Sequence, residues 1–169
     1  DHAVSLRGDE ARFDGKTITG VTDLTVTGTA AAASDLSKAS VDKIILAYDL
    51  NNGTITHAGG ATIELTSDQT QTGFDVSATS TNTDITIIAG DEDTTSATVG
   101  TVTTGALATG AGAVAGTVTI EAIESNMTVS NITMGSKQNL VITGDENVTL
   151  GTVQGGASTS VNASNSTGV

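Results

Sequence analysis

The chain has 169 residues, with 19 acidic and 6 basic side chains and a formal net charge of −13. It contains no Cys, so disulfides and thiolate metal sites are excluded. The acidic excess argues against binding to nucleic acid and to anionic lipid, because both need clustered cations. No apolar run reaches the length of a membrane-spanning helix, so membrane insertion is not expected. Thr makes up about one residue in five, and this composition, with Gly for turns, favours β-strands.

The N-terminal part of the chain differs in character from the rest. Residues 1–16 are charged and contain Phe13, and we interpret them as a linker or as part of a preceding coil. Residues 17–169 form the predicted β-repeat region, which we expect to be a fragment of a longer chain. Residues 30–43 are the only stretch with helical character, and Ser34 is a candidate cap for a short turn there.

Short stretches that alternate aliphatic residues with Thr or Ser follow one another along the repeat region. Each has the length of a strand, has one apolar and one polar face, and is bounded by Gly, Asn or Asp. Turn signals recur too often for helices to lie between these stretches. The sequence therefore predicts an all-β fold, with strands within 17–28, 61–67, 83–90, 116–123, 127–135, 139–144 and 147–151.

Aliphatic residues of these stretches recur at intervals close to one coil of a right-handed parallel β-solenoid, in which stacked coils align side chains in columns. The register breaks near 46–63 and 87–118, where loops or an insertion are expected. Residues 105–116 are either a flexible loop or a thin coil. We predict a right-handed parallel β-solenoid of roughly 20–22-residue coils with loop insertions, with a β-sandwich as the alternative. Pairs separated by about 22 residues are Leu24/Leu46, Ile63/Ile85, Leu65/Ile87, Val118/Leu140 and Ile120/Ile142. Pairs separated by about 21 residues are Leu140/Val161 and Met127/Val148.

Two phrases near the end of the chain carry a family resemblance. The first contains Leu140, Ile142, Thr143, Gly144, Val148, Thr149, Leu150, Gly151 and Val153, and the second contains Val161, Ala163, Ser164, Thr167, Gly168 and Val169. They resemble the β-strand-repeat region of bacterial surface-layer (S-layer) proteins and related type I–secreted surface proteins. The sequence DLTVTG at 23–28 is similar to another copy of the opening. The resemblance implies a subunit of a two-dimensional lattice on the outer membrane, often dependent on Ca²⁺, with anchoring and secretion signals in other regions.

Acidic turns are the best candidates for metal ligands. Asp91, Glu92 and Asp93 follow one predicted strand, and Asp145 and Glu146 follow another. A third acidic group, Asp9 and Glu10, precedes Arg12. Adjacent carboxylates at a strand end can converge with backbone carbonyls on Ca²⁺, which prefers oxygen ligands. The alternative is that these side chains hydrogen-bond to their own turns. The glycine-rich nonapeptide G-G-x-G-x-D of calcium-binding β-rolls is missing, so we predict Ca²⁺ as a candidate cofactor at acidic turns only.

No residue pattern indicates catalysis. His2 and His57 are the only histidines, His57 is expected in a turn, and no carboxylate–His–nucleophile spacing suggests a triad. A sugar-cleaving groove usually offers aromatic platforms, and the chain has one Tyr and no Trp. We therefore predict that the chain is not an enzyme.

Sequons for Asn glycosylation recur along the chain. Two of them, ESNMT and DENVT, carry an acid two residues before Asn, the form that some bacterial glycosylation systems prefer. Chance accounts for most of the six in so Thr-rich a chain. They lie at Asn52, Asn126, Asn131, Asn147, Asn162 and Asn165.

These observations predict a structural protein of the bacterial cell surface, exported from the cell. Its expected partner is a further copy of itself in an S-layer lattice, with contact to outer-membrane lipopolysaccharide through regions outside this chain. The alternative is an adhesin or ice-binding β-solenoid module that uses a flat Thr face. That alternative depends on T-x-T pairs at 17/19, 25/27/29, 54/56, 101/103 and 117/119.

Overall fold

Fourteen β-strands and one 3₁₀ turn make up the regular structure of the described residues. The structure is a computed structural model that describes residues 3–27, 34–47, 54–57, 60, 62–65, 74–78, 84–89, 96–104, 116–123, 125–134, 138–155 and 160–168. Within those ranges there is no α-helix. The elements are β1 (Ser5–Asp9), the 3₁₀ turn (Glu10–Arg12), β2 (Asp23–Thr27), β3 (Ser34–Leu36), β4 (Lys43–Leu46), β5 (Thr54–His57), β6 (Thr62–Leu65), β7 (Phe74–Ala78), β8 (Ile85–Ala89), β9 (Ser96–Thr104), β10 (Gly116–Ala122), β11 (Asn126–Thr133), β12 (Gln138–Gly144), β13 (Val148–Gln154) and β14 (Ser160–Ser166).

The strands form two parallel sheets. The long sheet has the order β1-β2-β4-β6-β8-β10-β12-β14, and the short sheet has the order β3-β5-β7-β9-β11-β13. From β2 onwards, successive strands therefore alternate between the sheets, and each coil gives one strand to each sheet. This confirms the predicted all-β parallel solenoid over the antiparallel β-sandwich. The right-handed sense stays a prediction.

Aliphatic columns fill the space between the two sheets. Every second residue of a strand points inward, and parallel pairing places these residues over one another from coil to coil. Sheets that face each other lie about 10 Å apart, a gap that Leu, Ile and Val side chains can fill. The main column of the long sheet runs through Leu24, Ile44, Ile63, Ile87, Ile120 and Ile142, all of them buried.

Coil length was predicted correctly in the C-terminal coils. Val118 pairs with Leu140, and Ile120 pairs with Ile142, as the longer of the two sequence intervals predicts. The shorter interval is confirmed as well, because Leu140 pairs with Val161 and Met127 pairs with Val148.

In the N-terminal coils the predicted coil length is wrong by two residues, which is one period of a β-strand. Leu24 pairs with Ile44, not with Leu46. Ile63 pairs with Ile87 rather than Ile85, and Leu65 pairs with Ala89 rather than Ile87. The physical reason is that side chains alternate with a period of two, so a slip by one full period keeps every side chain on its face. The turns decide between such registers, and the aliphatic pattern does not.

The two expected interruptions have different outcomes. Leu46 pairs with Leu65, an interval shorter than the predicted coil, so no insertion lies near 46–63, and that prediction is wrong. Ile87 pairs with Ile120, an interval much longer than the predicted coil, which confirms an insertion within 87–118. Apart from Gly116, the predicted loop at 105–116 lies outside the described residues.

Residues 10–18 lie along the outer edge of β3. The Gly15 N–H donates to the Asp35 carbonyl over 2.8 Å, and Ile18 forms a parallel bridge with Ala39. The ring of Phe13 is 5% exposed and packs on Gly8, where an added Cβ would lie 3.1 Å from Cζ. This segment therefore supplies backbone partners to β3 and an aromatic side chain to the core.

The helical turn predicted within 30–43 is wrong over its described part. Ser34 is the first residue of β3, where its side chain is buried and its hydroxyl donates to Glu10 Oε1 over 2.7 Å. Leu36 is buried in the same strand, and β4 begins at Lys43. Pairing with β5 and burial of Leu36 outweigh the weak local helical preference.

Truncation of one column residue tests the inward assignment. We expect Ile120→Ala to lower the free energy of unfolding by about 2–5 kcal/mol, because its fully buried side chain lies between Ile87 and Ile142. Urea unfolding followed by circular dichroism measures the change. Thr119→Ala is the matched control on the outer face of the same strand and should change stability by less than about 1 kcal/mol. Equal losses for the two variants would contradict the assignment of faces.

Candidate functional site

The acidic corner at residues 145–147 connects β12 to β13. Its first feature is Gly144, the last residue of β12, which has a φ of 103°. A Cβ at this position would overlap the carbonyl oxygen of Ala122 in the coil before it. The corner therefore requires glycine for two reasons, its positive φ and the close approach of two coils.

Hydrogen bonds between coils hold the corner in place. The Glu146 N–H donates to the Ala122 carbonyl over 3.1 Å. The Asn147 N–H donates to Asn126 Oδ1 over 3.1 Å, and the Met127 N–H donates to the Asn147 carbonyl over 2.8 Å. The backbone is thereby fixed, while the side chain of Asp145 is exposed and that of Glu146 is half-buried.

The predicted calcium ligands are only partly placed by the structure. Asp145 and Glu146 lie together at the acidic corner, whereas Asp91, Glu92 and Asp93 lie outside the described residues. The part of the chain that the structure describes contains no group of three or more His, Asp or Glu residues that could hold a metal ion. Ca²⁺ takes six to eight oxygen ligands, so two carboxylates at one corner leave much of its coordination to other groups.

A second acidic pair, Asp9 and Glu10, takes part in contacts within the fold. Glu10 accepts the hydrogen bond from the buried Ser34 hydroxyl, and Asp9 Oδ1 accepts one from the Thr27 hydroxyl over 3.5 Å. These acids join the first coil to the second. Their role in the described contacts is therefore structural.

An ion pair crosses the outer face of the long sheet. Lys43 Nζ lies 2.6 Å from Glu64 Oε2, between the neighbouring strands β4 and β6. The hydrogen bond with Glu64 raises the pKa of Lys43 above its ordinary value of 10.5, and the charge of Asp23 acts in the same direction. The Lys43 side chain is 38% exposed, so water and salt screen much of this attraction.

The T-x-T pairs do not stack into ranks on the outer faces of the described strands, although single Thr residues do, as in the column Thr62, Thr86 and Thr119. Thr25 pairs with Arg7 on one side and Ile45 on the other. Thr119 pairs with Thr86 and Val141. Among the described strands, no T-x-T pair lies beside another T-x-T pair. Ranked hydroxyls need such neighbours, so these registers do not support the ice-binding alternative.

An exposed polar surface lies on the outer face of β11 and β13. Thr128 pairs with Thr149, Asn131 pairs with Thr152, and all four side chains are exposed. Ser130 and Asn131 are consecutive exposed residues, which interrupts the alternation of β11. An added Cβ on Gly151 would overlap the Ser130 carbonyl oxygen, so the next coil follows this irregularity closely.

The remaining sequence predictions concern the two histidines and membrane insertion. His57 is the last residue of β5 rather than a turn residue, so its predicted position is wrong, and His2 lies outside the described residues. None of the described residues belongs to a helix with the length and hydropathy of a membrane span.

Comparisons with known proteins return no relative. No protein-family model matches the chain, and neither a curated protein nor a solved structure matches it. The physical basis for a function is therefore the coil geometry and its surface chemistry.

Substitution of Gly144 tests the close approach at the acidic corner. We expect Gly144→Ala to destabilise the fold by several kcal/mol, because the methyl group would overlap the Ala122 carbonyl and the backbone is left-handed. Gly60→Ala is the matched control, since Gly60 has a φ of 79° and open space around it, and it should lose only about 1–2 kcal/mol. Thermal and urea unfolding measure both. A smaller loss for Gly144→Ala than for Gly60→Ala would contradict the proposed packing.

The ion pair gives a pH-dependent prediction. The folded-state pKa of Lys43 is raised, so the ion pair stabilises the fold fully below pH 10.5. This stabilisation is lost as pH rises through the folded-state pKa of Lys43. A double-mutant cycle of Lys43→Met and Glu64→Gln should show a coupling of about 0.2–1 kcal/mol at neutral pH that falls with salt. Lys43→Met combined with Glu121→Gln, on the same face two strands beyond Glu64, should show none. Equal coupling in both cycles would contradict a specific pair.

Proposed function

We propose that this chain is a structural segment of a bacterial S-layer subunit. It works by self-association into a two-dimensional array outside the cell, and Ca²⁺ assists the contacts between copies. Contact with outer-membrane lipopolysaccharide is part of the same proposal and involves other regions of the subunit. The chemistry is that of assembly, with no catalytic step.

The observation that carries the proposal is the position of the residues that resemble S-layer repeats. The first phrase spans β12, the acidic corner and β13, which together make one coil. Leu140 and Ile142 are core residues, and Gly144 and Gly151 lie where neighbouring coils approach too closely for a side chain. The phrase is thus the pattern of a stacking unit. This supports a repetitive structural role, because each of these residues serves packing between coils.

The shape of the solenoid suits a lattice component. Eight strands spaced about 4.8 Å apart give the long sheet a face about 34 Å in length. Ladder hydrogen bonds and buried columns run along this length, so the segment is a stiff element with extended sides. Such sides offer repeated contacts to neighbouring copies.

The net negative charge of the chain is the reason for including Ca²⁺ in the proposed assembly. The chain has a net charge of −13, and no basic residue lies between Lys43 and Lys137. Two like charges about 4 Å apart repel by about 4 kcal/mol at the effective dielectric constant of a protein surface. Ca²⁺ between two copies relieves this repulsion and accepts carboxylate oxygens from both. Asp145 is an exposed candidate for such a contact, with Glu146 beside it.

Assembly of the purified chain tests the proposal. We expect large oligomers or sheets in millimolar Ca²⁺ and dispersed chains in excess EDTA, as measured by light scattering and negative-stain microscopy. NaCl at equal ionic strength should not replace Ca²⁺, because general screening does not supply a bridge between carboxylates. The double variant Asp145→Asn/Glu146→Gln should need several-fold more Ca²⁺.

The matched control is Asp42→Asn, which removes one acid far from the acidic corner. It should leave the Ca²⁺ requirement unchanged. A chain that stays dispersed in Ca²⁺ would contradict self-association. Assembly that is equally efficient in EDTA would contradict the role of Ca²⁺ while leaving the structural role in place.

A further inference from the structure

We propose that Asn147 is an acceptor for N-linked glycosylation. The donor would be an oligosaccharide carried on a lipid pyrophosphate, and the attachment atom is Nδ2 of Asn147. This modification is separate from lattice assembly and is tested by mass rather than by association.

Exposure alone does not select one sequon. Five sequon asparagines are described, and all five are exposed. Three of them lie inside strands, where ladder hydrogen bonds hold the backbone extended and close to its neighbours. These are Asn131 in β11 and Asn162 and Asn165 in β14.

An acid two residues before Asn reduces the candidates to two. Glu124 precedes Asn126, and Asp145 precedes Asn147. In the second sequon, the acid Asp145, the amide of Asn147 and the hydroxyl residue Thr149 are all exposed. An enzyme that pairs a cation with the acid and binds the hydroxyl can therefore reach all three groups, two at the acidic corner and one at the start of β13.

The stacking of the two acidic sequons favours Asn147. Met127 pairs with Val148, so the two asparagines lie on neighbouring coils about 4.8 Å apart. Asn126 begins β11, and its Oδ1 accepts the N–H of Asn147 over 3.1 Å. Asn126 is thereby held against the next coil, whereas Asn147 lies in the corner before β13. Two glycans at this spacing would also overlap, so one occupied site is expected.

The reaction leaves the contacts of the corner intact. Nδ2 attacks the anomeric carbon of the first sugar and forms a C–N bond. The bond from that carbon to the pyrophosphate oxygen breaks, and the lipid pyrophosphate leaves with the electron pair. Nδ2 gives one proton to a base of the transferase. The Asn147 N–H and carbonyl, which bond to Asn126 and Met127, take no part.

A glycan at Asn147 has a consequence for the acidic corner. It would shield Asp145 and Glu146, which lie next to it in the chain. A modified chain should therefore need more Ca²⁺ for any contact made through this corner. Glycosylation would then limit which sides of the solenoid meet other copies.

The test exports the full chain to the periplasm of a bacterium that carries an oligosaccharyltransferase specific for acidic sequons and its lipid-linked oligosaccharide. Intact mass and glycopeptide sequencing give the number and position of glycans. We expect one glycan, on Asn147. Asn147→Gln should lose it, and Asp145→Asn should reduce occupancy at least tenfold while keeping the sequon.

The controls separate recognition from folding. Asn165→Gln removes an exposed sequon without an acid and should leave occupancy unchanged, and circular dichroism should show the same fold in all variants. An unrelated acidic-sequon acceptor in the same cells confirms that the transferase is active. With that acceptor modified, a chain without glycan would overturn the proposal. So would glycans spread over Asn131, Asn162 and Asn165, or occupancy that does not depend on Asp145.

Discussion

The constraint on which the structure depends is that inward side chains of one coil lie over inward side chains of the next. Ile87, for example, lies between Ile63 and Ile120 in the main column. A slip by a single position would turn Ile63 outward and bring Thr62 into the core. A slip by a full alternation keeps both on their faces. The core therefore fixes which face each residue occupies, and the turns remain free to set the length of each coil.

This freedom accounts for the mixture of regular and irregular features. The short coil from Ile44 to Ile63 and the long coil from Ile87 to Ile120 share one column, although the long coil has longer connections and a longer strand in the short sheet, nine residues in β9 against four in β5. The backbone is also constrained inside strands, where coils come close. At Gly144 and Gly151 a side chain would overlap a carbonyl of the preceding coil, so glycine there is a requirement of stacking. Both glycines belong to the phrase Leu140 to Val153 in which the sequence resembles S-layer repeats.

The sequence predicted the fold class and the C-terminal registers well, for a physical reason. From Val118 to Val161 the coils have nearly constant length, so intervals between aliphatic residues identify true partners. Around Leu24 and Ile63 the turns differ in length, and alternation alone could not distinguish registers that differ by one full period. The strand at Ser34 was missed because its stability comes from pairing and burial rather than local preference.

Of the candidate site, the sequence could predict the residues that directly follow a strand. Asp145 and Glu146 come directly after β12, so their place at a corner follows from the alternation before them. The stacking of Asn126 under Asn147 required the register of β11 on β13, and the cover that Phe13 gives the first coil required the path of residues 10–18. Contacts of this kind depend on the turns, whose conformations the sequence pattern does not determine.

The most direct test of the stacking measures the register between β6 and β8, where the structure differs from the sequence prediction. Because the chain has no Cys, a pair of cysteines reports one contact. Thr62 pairs with Thr86, at a spacing of about 4.8 Å that suits a disulfide. Under mild oxidation, Thr62→Cys/Thr86→Cys should form an intramolecular disulfide detectable by mass, whereas Thr62→Cys/Asp84→Cys, the pair implied by the coil length that the sequence predicts, should not. Formation of the second disulfide in place of the first would contradict the stacked register.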